Sequence, residues 1–191
     1  MGAALTGCRQ SVPDTTVAGP LELQNGTIDV VASPTTPGAV LGKFDPTPPH
    51  TSVNVDPAYL VFEPAAATLT IPIASASLTS GAAPPDVTLS SVRATLSLED
   101  PQSAGPIDYP MTGTPGTWTF QRGAGSSCDA ATALDLTLTL TDPNTVRGFV
   151  DVLTTGGDNT TRIVIHADSG DLGSGDTLRL TFGRDSVVFS Y

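Results

Sequence analysis

From Leu134 to Thr141 the chain reads Leu-Asp-Leu-Thr-Leu-Thr-Leu-Thr, with apolar and polar residues in alternation. A period of two places every leucine on one face of a β-strand and every polar residue on the other. Val92, Ala94, Leu96 and Leu98 alternate in the same way with Ser91, Arg93, Thr95 and Ser97. Leu178, Leu180 and Phe182 alternate with Thr177, Arg179 and Thr181. Further strands are expected at Leu21–Gln24, Thr27–Ala32, Tyr59–Glu63, Thr68–Ala74, Thr117–Gln121, Val146–Thr154, Thr161–Ala167 and Ser186–Tyr191. Helical periodicity is nearly absent, because the alanines stand beside Pro, Gly, Ser and Thr rather than in a 3.6-residue apolar pattern.

The punctuation between these segments fits hairpins. Asn25-Gly26 is the pair that favours a type I′ turn. Asp142-Pro143-Asn144 reads as a proline turn, Thr155–Asn159 as a further hairpin connection and Gly183-Arg184-Asp185 as another. Pro72 interrupts Leu69-Thr70-Ile71-Pro72-Ile73, and proline offers no N–H to a ladder. That strand is therefore expected at a sheet edge or with a bulge. Short strands separated by such turns predict an all-β fold, an antiparallel β-sandwich (Ig-like or related) of about 8–11 strands. Residues 33–57 hold six prolines and little periodicity, so they read as a long loop within a single domain spanning 21–191.

Composition narrows the setting. With 191 residues the chain suits one domain. The net charge of −11 argues against nucleic acid and against anionic lipid surfaces as partners. No apolar run reaches the length of about 18 residues that a membrane-spanning helix needs. Cysteine is scarce: Cys8 and Cys128 stand alone, outside any Cys-rich zinc pattern.

Leu5-Thr6-Gly7-Cys8, after a short apolar stretch, resembles a bacterial lipobox. The resemblance implies that Cys8 carries a lipid and that everything before it is removed. The protein would then be a membrane-anchored lipoprotein of the cell envelope, outside the cytoplasm. Only Met1-Gly2-Ala3-Ala4 precedes the box, whereas a secretory signal needs a charged region and an apolar stretch of about 7–15 residues. The expectation is a truncated signal, with the true start upstream or the chain trimmed. Residues 9–20 (RQSVPDTTVAGP) bury too little to offset their ordering entropy, so 1–20 reads as leader and flexible tether. Two fates of Cys8 stay open and exclude each other: acylation, or a disulfide with Cys128.

Candidate chemistry is thin. Asp168, Asp171 and Asp176 lie among glycines in Asp168–Asp176 and are candidate calcium ligands, since calcium takes six to eight oxygens. Gly173–Leu178 loosely resembles one turn of a calcium-binding nonapeptide repeat, and the alternative is a plain turn. His166 is a candidate transition-metal ligand, although the copper sites of superoxide-dismutase-like sandwiches draw on more histidines than His50 and His166. Trp118 and Phe120 share one face of their strand, as a sugar-stacking platform or as a core anchor. Asn159-Thr160-Thr161 and Asn25-Gly26-Thr27 match the glycosylation pattern, which in a bacterial protein is usually chance, and Asn25-Gly26 has its own turn explanation. No G-x-S-x-G elbow is present.

These features favour a non-enzymatic envelope lipoprotein, a structural or binding subunit of a surface or outer-membrane assembly. It would need no cofactor, with calcium as the one candidate. Its partners would be other envelope proteins, the membrane through Cys8 and further copies of itself in a homo-oligomer, with no nucleic acid. Two alternatives come from other classes: a small secreted metalloenzyme with a superoxide-dismutase-like sandwich, and a calcium- or carbohydrate-binding adhesion module.

Overall fold

The computed structural model describes residues 12–44, 55, 60, 62–79, 86–99, 105–154 and 160–191. In chain order the strands are β1 (Thr15–Ala18), β2 (Thr27–Ala32), β3 (Val40–Phe44), β4 (Ala66–Thr79), β5 (Asp86–Ser90), β6 (Arg93–Glu99) and β7 (Ile107–Thr114). They continue with β8 (Trp118–Arg122), β9 (Ser127–Ala130), β10 (Asp135–Leu140), β11 (Thr160–Ala167), β12 (Ser169–Gly170), β13 (Thr177–Phe182) and β14 (Ser186–Ser190). One helix, α1 (Pro143–Thr154), separates β10 from β11.

The all-β, antiparallel expectation holds, but the sandwich gives way to a barrel. Eight strands run β10-β7-β6-β11-β3-β2-β13-β4, and β4 pairs back onto β10 to close the ring. Closure removes the open edges that a sandwich leaves. With eight strands the interior is just wide enough for side chains to fill. Here Ile28, Val30, Phe44, Leu69, Ile71, Leu96, Leu138, Ile163, Leu180 and Phe182 fill it, all buried. The rings of Phe44 and Phe182 meet edge to face at 5.4 Å.

Closure depends on β4. Its first half pairs with β10 and β14, its second half with β13 and β9. Ala67, Leu69 and Ile71 are buried in the first half, Ala76 and Leu78 in the second. The alternation changes phase between them, at the register shift that pairs Phe182 with Ile73 but Thr181 with Ser75. One extra residue in a strand reverses which face its later side chains occupy. Pro72 lies directly before this bulge, in a strand paired on both sides rather than at an edge.

Beyond the ring, β12-β5-β8-β9 extends the sheet from the second half of β4. It curls until the Gly170 N–H donates to the Gly38 carbonyl at 2.9 Å. A Cβ at Gly170 would lie 2.6 Å from Val40 Cγ1, so this approach requires glycine. Trp118 and Phe120 form the core of this extension, with ring centroids 6.5 Å apart. At the opposite end, β14 lies on the first half of β4 and carries β1 on its outer side.

Three sequence expectations are corrected here. Val146–Thr154 lies in a helix, not a strand. Asp142 caps it, its Oδ1 accepting from the Thr145 N–H at 2.9 Å, with Pro143 in the first turn. Val146, Phe149, Val152 and Leu153 then recur at helical spacing and are buried. The tether is the second: Thr15–Ala18 pairs with Ser186–Phe189, so the folded body begins before residue 21. The third is Leu21–Gln24, which is irregular, while the Pro-rich 33–57 segment contains strand β3. Residues 155–159 and most of 45–59 lie outside the described residues; of the strand expected at Tyr59–Glu63, the described Leu60, Phe62 and Glu63 are not in a strand.

Helix α1 follows β10, and its Phe149 ring meets Tyr109 of β7 edge to face at 5.2 Å. Burial pushes the Tyr109 phenol up to about 12, from an ordinary value of 10.0. In the unfolded chain this phenol ionises near 10, so the folded state holds its proton longer. The stability this lends is complete below pH 10 and is lost as pH rises toward 12, by about 2–3 kcal/mol. Urea titrations at stepwise pH from 9 to 12 should show a steeper loss for the native chain than for Tyr109→Phe. Equal slopes would contradict the burial.

Candidate functional site

Among the described residues, a recess that gathers His166 and Asp168 lies on the outside of the barrel, over β3, β11, β6 and β7. In β11, His166 stands opposite Leu41 of β3 on one side and Arg93 of β6 on the other. Directly opposite side chains in an antiparallel pair lie about 4.5–5.5 Å apart at Cβ. The adjacent row places Thr95 of β6 opposite Pro110 of β7. Both rows belong to the outward set, because their neighbours Ala94, Met111, Ile165 and Ala167 point into the core.

The turn between β2 and β3 forms the wall. Ser33 Oγ accepts from the Thr35 and Thr36 N–H groups, at 3.4 and 3.2 Å. The Ser33 N–H donates to the Ala39 carbonyl at 2.8 Å, which closes the turn. The recess has a volume of about 530 Å³ and is lined by Ser33, Thr35, Thr36, Arg93, His166 and Asp168 among others. Asp168 follows β11 directly, and Arg93 Nη2 donates to its Oδ1. Both side chains are about 60% exposed, so this pair is worth little as a stabilising contact.

The sequence thus marked two members of this groove, His166 and Asp168, for separate reasons. Arg93 and the Ser33–Thr36 hydroxyls carried no such signal. Only strand register brings them together, since they are far apart along the chain.

The three candidate calcium ligands do not converge. Asp168 faces Arg93, Asp171 Oδ2 accepts from the Thr88 N–H at 3.1 Å, and Asp176 Oδ2 accepts from the Gly173 N–H at 2.8 Å. The last two contacts are of the kind that fixes turns. Among the described residues no three His, Cys, Asp or Glu side chains are grouped to hold a metal ion, His166 included. Trp118 and Phe120 are 0% and 1% exposed, so their faces meet core side chains and offer no surface to a sugar. Cys128 is a buried thiol, and burial raises its pKa. Cys8 and His50 lie outside the described residues.

Elsewhere the surface carries cross-strand ion pairs. Arg179 forks onto Asp29 at 2.7 and 2.8 Å, and this guanidinium holds the Asp29 carboxyl below the usual range. Glu63 accepts from Arg147 of α1, and Glu99 from Arg162 of β11 at 3.0 Å.

No family model matches this chain. No curated protein matches it either. Among solved structures it is similar to Eiger TNF from S. frugiperda, at 9% identity over 86% of this chain and 91% of that one. The TM-score is 0.25, an overlap too loose to bear on fold or function.

Proposed function

We propose that this protein is a non-enzymatic binding module of the bacterial cell envelope, held at a membrane by a lipid on Cys8. The observation that carries the binding half is where the chain puts its polar groups. The barrel interior is filled with apolar side chains, and the groove over β11 and β6 lies on the outside. A filled interior leaves the outer surface to meet partners. The groove holds a paired Arg and Asp, an imidazole and hydroxyls, which suit recognition of a ligand more than attack on one.

The anchor half rests on the resemblance of Leu5-Thr6-Gly7-Cys8 to a lipobox. β1 starts at Thr15, seven residues beyond Cys8. Seven residues span at most about 25 Å when fully extended. A lipid at Cys8 would therefore hold the barrel close to the bilayer surface, where other envelope proteins are its partners.

Labelling with a radioactive fatty acid, followed by membrane fractionation, tests the anchor. The native chain should take up label and sediment with membranes. Cys8→Ala should lose the label and most of its membrane association while keeping its β-rich circular dichroism. An unlabelled native chain, intact from Met1 in the cytosol, would refute the proposal.

A further inference from the structure

We infer that the groove over β11 and β6 binds a neutral saccharide, gripped through neighbouring hydroxyls by Arg93, Asp168 and His166. This rests on the reading of the chain as an outward-facing binding module and names the ligand class for it.

Charge selects the class. Arg93 and Asp168 neutralise each other across the groove. An anion would meet a guanidinium whose charge Asp168 already balances, on a protein of net charge −11. A cation would meet a carboxylate whose charge Arg93 already balances. A neutral polar ligand meets neither obstacle, and it benefits from a donor and an acceptor fixed side by side.

Hydrogen-bond inventory narrows it further. A guanidinium has five N–H donors and no acceptor; a carboxylate only accepts; a neutral imidazole does one of each. Among the described residues Arg93 Nη2 is engaged on one oxygen of Asp168. Both residues line the recess, and that bond leaves the second carboxylate oxygen and further guanidinium N–H groups for a ligand. Two adjacent hydroxyls on a sugar ring each donate once and accept once, so one pair can satisfy both partners together. Charged partners strengthen such bonds.

Shape agrees. A recess of about 530 Å³ is of the size that small ligands occupy. Leu41 and Pro110 give it an apolar floor for the C–H face of a ring, and the imidazole of His166 lies between Leu41 and Arg93. Thr35, Thr36 and Thr95 add hydroxyls at the rim.

Calorimetry on the full chain tests this with four neutral tetrasaccharides, of cellulose, maltose, mannose and chitin type, and a tetragalacturonate as the anionic control. At least one neutral sugar should bind with a Kd of about 10⁻³ M or tighter. Arg93→Gln and Asp168→Asn should each weaken it about tenfold or more, the effect of losing a charged hydrogen bond. Both sites are exposed, so the melting temperature should hold. His166→Ala should weaken the same sugar. Absence of heat with all four neutral sugars overturns the inference, as does unchanged affinity in the variants or tighter binding of the anionic control. An acylated, membrane-bound chain that binds no sugar defeats this inference alone. A chain that binds sugar but carries no lipid defeats the anchor alone.

Discussion

Asp185→Ala should lower the stability of the fold by about 2–5 kcal/mol, because two buried N–H donors lose this acceptor at about 1–3 kcal/mol each. Asp185 is fully buried. Its Oδ2 accepts from the Leu21 N–H at 2.7 Å and its Oδ1 from the Leu23 N–H at 3.2 Å. Its own carbonyl accepts from the Gly19 N–H at 2.6 Å. This residue therefore anchors the first part of the irregular link from β1 to β2, whose far end is held by Asn25 and Gly26 on Phe182.

That link needs holding. Glu22 and Asn25 have φ of 50° and 68°, a region that side chains other than glycine seldom occupy. Leu21 and Leu23 are drawn into the core on either side of Glu22. Without the carboxylate, both N–H groups lie buried with their main acceptor gone. Asp185→Asn keeps one acceptor oxygen but aims an amide donor at the second N–H, so it should recover only part of the loss. Urea unfolding gives the magnitude, and hydrogen exchange gives the place: protection should fall first at residues 15–32. A midpoint shift worth less than about 1 kcal/mol would show that the clamp is not stabilising.

Trp118→Ala should cost a comparable amount, about 4–5 kcal/mol, through the cavity it leaves. Trp118 is the only tryptophan and is 0% exposed, at the centre of the β5-β8-β9 extension. Its Nε1–H has no hydrogen-bond partner among the described residues. An unsatisfied buried donor carries a penalty of about 1–3 kcal/mol. Trp118→Phe removes that penalty along with some volume, so its net cost should stay near 1 kcal/mol. Unfolding followed by circular dichroism compares the two. A loss of several kcal/mol for Trp118→Phe would mean that the indole N–H is satisfied after all.

Both residues show how far the sequence reaches. Trp118 and Phe120 were legible as a pair on one strand face, but only packing decided that the face points inward. Asp185 read as part of a hairpin turn; its work is done 164 residues away along the chain. The helix at Pro143–Thr154 had a signal in Asp142-Pro143 and in Val146, Phe149 and Leu153. Its valines and threonines, which favour strands locally, concealed it. β3 was hidden for the opposite reason: it is short and surrounded by prolines.

Alternation of side chains along Leu134–Thr141, Ser91–Leu98 and Thr177–Phe182 was enough to determine strands and most of the core, because burial is read directly from side-chain chemistry. Which strands pair was decided only in three dimensions, because backbone N–H and C=O groups are alike at every residue and carry no address. Closure of β4 onto β10, the phase reversal after Pro72 and the meeting of Arg93, His166 and Asp168 all belong to that second kind. The barrel and its groove are consequences of register, which the chain settles by satisfying all its buried faces at once.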